Sequence, residues 1–120
     1  MINPIELLSY VRKNIRSVAA QHSQSIKRLK GKKNYGHMLR IIEEKAEKLT
    51  FAHVMVLLNL QLGKDLYDIF AHERDELVKM GMISKHGRLR PQGQWITKLV
   101  KNFTENVMGM SWQRVWLWVD

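Results

Sequence analysis

Five of the seven residues from 27 to 33 are cations: Lys27, Arg28, Lys30, Lys32 and Lys33. Like charges packed this densely repel one another unless an anion lies among them. The nearest acids in sequence are Glu6 and Glu43, well outside the cluster. The chemistry that suits such a segment is contact with phosphates, each neutralised charge releasing counterions and steepening the dependence on salt. A second group stands at Lys85, His86, Arg88 and Arg90, around His86-Gly87. Arginine there suits two-pronged bonding to a phosphate or a guanine edge. The plain alternative for both groups is a solvated basic surface.

Other chemistries find less material. The histidines His22, His37, His53, His72 and His86 are scattered, and no pair has helical ligand spacing with a third ligand nearby. His53, on an apolar stretch, reads as a hydrogen-bonded core histidine. Asp65, Asp68, Glu73, Asp75 and Glu76 fall along one segment as a solvated face rather than converging on a metal. There is no Cys, no Gly-rich phosphate loop and no Gly-x-Ser-x-Gly. The expectation is a protein that is not an enzyme and uses no cofactor. Trp112, Trp116 and Trp118 crowd seven residues of the tail. They are candidates for core completion, for a homodimer seam, or for contact with a protein partner.

The chain has 120 residues and a formal charge of +9, from 20 Lys and Arg against 11 Asp and Glu. That charge is segregated. Residues 1–40 carry nine cations and one acid, residues 41–80 five and eight, and residues 81–120 six and two, giving +8, −3 and +4. An acidic partner is the first expectation, either nucleic acid or an anionic surface. The longest nearly apolar run, Val54 to Leu62, is too short to span a bilayer. The N-terminal residues have no secretory pattern, so a cytoplasmic location without membrane attachment is expected.

The elements that must position these residues are mostly helical. Asn3, Pro4 and Glu6 form a helix-start signal, and Ile5, Leu8, Val11, Ile15 and Val18 mark one face of a helix to about Ala20. A second helix is expected over His37 to Lys48, with Met38, Ile41, Ile42 and Leu49 facing inward. Thr50 caps a third, apolar all round, from Phe51 to Leu62 and closed by Gly63. Asp65 begins a segment to Met80 that is either one bent helix or two short ones meeting near Ala71-His72. Met82 to Lys85 and Arg88 to Arg90 flank a Gly turn and read as a tight hairpin. A helix from Gln94 to about Val107 follows, broken at Met108-Gly109-Met110. The tail from Ser111 fits a helix or a strand equally well. One domain covers 1–120, with a basic helix and arm over 1–36, a core over 37–107 and a Trp-rich tail over 108–120.

The order helix, helix, Gly, hairpin, helix resembles a winged helix-turn-helix. The stretch Leu77-Val78-Lys79-Met80-Gly81-Met82-Ile83-Ser84-Lys85-His86-Gly87-Arg88-Leu89-Arg90-Pro91-Gln92-Gly93 is similar to the end of a recognition helix, the wing and the next helix entry in MarR-like regulators. Leu49-Thr50-Phe51-Ala52-His53 with Val56-Leu57 is similar to the opening of that family's central helix. The resemblance covers about residues 49–100. It implies a mainly α fold, a helical bundle with a small β-hairpin wing, and a DNA-binding regulator of transcription whose terminal helices form a homodimer. Glu73, Asp75 and Glu76 outnumber the cations of the would-be recognition helix and repel a duplex. Docking is therefore expected through Lys27, Arg28, Lys30, Lys32 and Lys33 and through Lys85, His86, Arg88 and Arg90, with double-stranded DNA the expected ligand. The second reading is a small adaptor or inhibitor that binds a protein through its basic arm and Trp-rich tail.

Overall fold

Asn3 begins the first helix as its sequence predicts. Its side-chain oxygen accepts from the backbone N–H of Ile5 at 3.0 Å and of Glu6 at 3.4 Å, satisfying donors that a helix start leaves unpaired. The computed structural model describes residues 3–22, 28 and 34–117. The fold is mainly helical: α1 (Pro4–His22), α2 (Tyr35–Glu47), α3 (Phe51–Gln61), α4 (Ala71–Lys79), α5 (Pro91–Asn102) and the short α6 (Trp112–Trp116). A π-helical turn, Phe103–Val107, extends α5. Among the described residues no helix is long and apolar enough to cross a membrane.

The core-facing side of α1 is Leu7, Val11, Ile15, Val18 and Ala19. This corrects the expected stripe at its start, because Ile5 points outward and Leu8 is only partly covered. Leu7, one turn before Val11, takes the buried place, and Leu8, also within a turn of Val11, packs at the edge of the core. In α2 the buried residues are Leu39, Ile42 and Ala46, with Met38 outward. α1 packs on α2 and α5. Arg12 also donates to the Glu47 carbonyl at 3.4 Å, and Arg16 pairs with Glu43.

At the centre is α3, as its apolar circumference requires. Val54, Val56, Leu57 and Leu58 are all fully buried, and α3 touches α4, α5 and α6. Its start is a capping box with a histidine in the acidic position. The Thr50 side chain accepts from His53 N–H, and His53 Nδ1 accepts from Thr50 N–H at 2.9 Å. That bond leaves the proton on Nε2, which lies 3.1 Å from Glu76 Oε1 on α4. His53 is thus the satisfied core histidine its setting suggests, and it ties two helices together. Gly63 takes φ +80 behind α3, closing it.

The segment after Asp65 is neither a bent helix nor two helices. Residues 67–69 form a turn, in which Asp65 Oδ1 accepts from Tyr67 N–H at 3.1 Å, and α4 starts at Ala71. The expected hairpin wing is also corrected. Among the described residues there is no strand, only one antiparallel bridge, Ile83 to Leu89. The reason is local. Pro91 opens α5, so Arg90 is already its N-cap, and Met80 is the cap of α4. Too few residues remain on either side of the turn to extend a ladder. Gly93 lets α5 sit directly on this loop: a Cβ there would lie 2.3 Å from the Met82 carbonyl oxygen.

The tail resolves as a helix that plugs the core. Trp116 has 0% exposure and its ring N–H donates to Thr104 Oγ1 at 2.9 Å. Thr104 in turn donates to the Val100 carbonyl at 2.8 Å, and Asn59 of α3 donates to the Trp116 carbonyl at 2.9 Å. Trp112 is buried too, with the Lys101 ammonium 4.4 Å from the centre of its ring.

Candidate nucleic-acid interface

The turn that carries the second basic group is Ser84 to Arg88. It is closed by Gly87 N–H donating to the Ser84 carbonyl at 3.0 Å and Ser84 N–H to the Arg88 carbonyl at 2.8 Å. Ser84 Oγ accepts from Arg88 N–H at 3.1 Å, and Arg90 N–H donates to the Met82 carbonyl at 2.9 Å. These bonds occupy the backbone and leave the side chains outward. Lys85, His86, Arg88 and Arg90 are all exposed. None of the four makes an ion pair with a carboxylate among the described residues.

What holds the turn in place is Arg74. Although α4 is a polar helix, Arg74 is only 8% exposed. Its guanidinium donates to both oxygens of Asp65, at 3.0 and 3.4 Å, and to the Lys85 carbonyl at 3.3 Å. It also lies 5.5 Å from the centre of the Tyr67 ring. One side chain therefore fastens the 65–69 turn, α4 and the basic turn together, and the fixed guanidinium fork suits that task. Gly87 takes φ +82 against it. A Cβ at Gly87 would meet Arg74 Nη2 at 3.0 Å and Asp65 Oδ2 at 3.1 Å.

Several central acids are engaged internally. Asp65 is matched by Arg74, Glu43 by Arg16, and Glu76 Oε1 is hydrogen-bonded to His53 Nε2 and lies 3.2 Å from His72 Nε2. Beside Arg74 an open groove of about 480 Å³ is lined by Tyr67, Arg74, Asp75, Val78, Lys79 and Lys85. Lys79, which stands among acids in the sequence, lines the same groove as Lys85. Helical phase could have flagged Lys79, one turn beyond Asp75 and away from buried Leu77. Arg74 carried no comparable signal, because its partners are brought near only by the fold.

Of the N-terminal cluster, Arg28 is exposed, whereas Lys27, Lys30, Lys32 and Lys33 lie outside the described residues. Trp118 also lies outside them. Trp112 and Trp116 occupy the core rather than a surface open to a partner, so the expectation that they contact one is corrected by their burial. No group of three or more His, Asp or Glu side chains among the described residues is arranged to hold a metal ion. Comparison with known protein families, curated proteins and solved structures returned no match.

Proposed function

We propose that this protein binds nucleic acid, with duplex DNA as the preferred ligand, and acts in the control of transcription. The carrying observation is the contrast in how charge is used. Central carboxylates at Glu43, Asp65 and Glu76 have partners within the fold, while Lys85, His86, Arg88 and Arg90 make no ion pair among the described residues and project from a turn whose backbone is hydrogen-bonded. A fixed loop of free cations contacts phosphates with little ordering cost. The succession of α3, α4, bridged turn and α5 supports a winged-helix-like reading, with the turn in the role of a reduced wing. Arg28 and the neighbouring Lys27, Lys30, Lys32 and Lys33 supply the second contact.

Fluorescence anisotropy on a mixed-sequence duplex in rising salt tests this. Affinity is expected to fall steeply with salt. Replacing Lys27, Arg28, Lys30, Lys32 and Lys33 by Ala, or Lys85, Arg88 and Arg90 by Ala, is expected to flatten that slope by about one per lost phosphate contact. Absence of binding at low salt rejects the reading and favours an adaptor that uses the same cations on an acidic protein surface.

A further inference from the structure

The groove beside Arg74 adjoins the basic turn, because Lys85 belongs to both. Its volume of about 480 Å³ falls within the span of small-ligand sites, about 300 to 1,000 Å³. One wall is aromatic. The Arg74 guanidinium lies 5.5 Å from the centre of the Tyr67 ring and steadies it, yet Tyr67 remains 48% exposed. Val78, partly buried against the core, adds a small apolar surface. Asp75 and Lys79 stand one turn apart on α4, a spacing at which opposite charges pair. None of Asp75, Lys79 and Lys85 makes an ion pair among the described residues. The groove thus holds an open ring, an uncommitted carboxylate and two uncommitted ammonium groups.

That combination selects a ligand with a flat ring, an N–H at the ring edge and an anion. An apolar segment finds only the Tyr67 ring and Val78, and leaves three charges to be desolvated. A simple anion leaves the ring unused and is repelled by Asp75. A nucleotide uses every part: the base stacks on Tyr67, an N–H of its edge donates to Asp75, and the phosphate takes Lys79 and Lys85. In a duplex the faces of a base are covered by its neighbours and its pairing edge by the opposite strand. Only an unpaired nucleotide offers both face and edge. The same carboxylate that repels a duplex backbone accepts from an unpaired base.

We propose that this groove binds an unpaired nucleotide of a DNA strand held by the basic turn, at a junction between duplex and single strand. The inference rests on the nucleic-acid reading above and narrows its ligand. Fluorescence anisotropy with the full chain at fixed salt compares three probes: a blunt duplex, the same duplex with a short single-stranded overhang, and one whose overhang keeps the phosphates but lacks the bases. The base-bearing overhang is expected to bind about fivefold or more tighter than the abasic one. Tyr67→Phe is expected to keep that ratio and Tyr67→Leu to lose it. Because the ratio compares two ligands on one variant, a general loosening of the turn cancels from it. Lys79→Ala is expected to weaken the overhang probes more than the blunt one. Equal affinity for base-bearing and abasic overhangs overturns the proposal and leaves the nucleic-acid reading in place. A ratio that survives Tyr67→Leu overturns it too, by placing the base elsewhere. Displacement of the overhang probe by an equal concentration of free mononucleotide overturns it in favour of a loose nucleotide. Absence of binding to all three probes removes the proposal together with the reading beneath it.

Discussion

Arg74 and Arg88 flank one turn of the chain. Arg74 is buried, with Asp65 on one side and the Lys85 carbonyl on another. Arg88 is exposed, and its backbone rather than its side chain is engaged. The first cation is committed to structure, and the second remains available for an external anion. Residue type alone does not separate these roles. The count of partners does, and a basic protein can be divided into cations that hold the fold and cations that face outward.

The sharpest way to break this division is at its structural end. Arg74→Ala is expected to cost about 2 to 3 kcal/mol in chemical denaturation, below the range for a wholly buried pair because Asp65 is partly solvated. If that variant unfolds at the wild-type midpoint, the clamp is idle. Gly87→Ala puts a side chain at positive φ against Arg74 and Asp65, with an expected cost of about 1 to 2 kcal/mol and weaker duplex binding, measured side by side. Arg88→Ala with Arg90→Ala is expected to leave stability within about 0.5 kcal/mol while lowering the salt slope of binding by about two. A loss of stability equal to that of Arg74→Ala erases the distinction. Smallest is Arg16→Ala, which removes the exposed pair with Glu43 and is expected to cost less than about 1 kcal/mol by thermal melt.

Much of this architecture is written in local signals. Asn3 and Pro4, Thr50, Gly63 and Pro91 act over a few residues, so helix starts and stops can be read from them. The apolar circumference of Phe51 to Leu62 places α3 at the centre, and burial of His53 follows from its place on that helix. What depends on distant partners is less legible. Arg74 looks like a surface cation of an acidic helix until the fold delivers Asp65 and Lys85 to it. The hairpin expected around Gly87 is cut short because Pro91 opens α5 and makes Arg90 its N-cap, a demand that comes from the next element rather than from the turn. Trp112 and Trp116 were open between core and surface, since a large aromatic satisfies either and only the space beneath decides. The candidate site was legible in its cations at 85, 86, 88 and 90, but not in the clamp beneath them or in Lys79 beside them.

The hydrogen bonds from the Trp116 ring to Thr104, and from Asn59 to the Trp116 carbonyl, carry a consequence for biosynthesis. Helices α1 to α5 leave the ribosome before the residue that plugs the space among them. Until Trp116 emerges, Asn59 and the walls around it are open to water. Chains stalled before residue 112 therefore lack the side chain that fills this space, an unfilled interior that exposes them to chaperones and proteases.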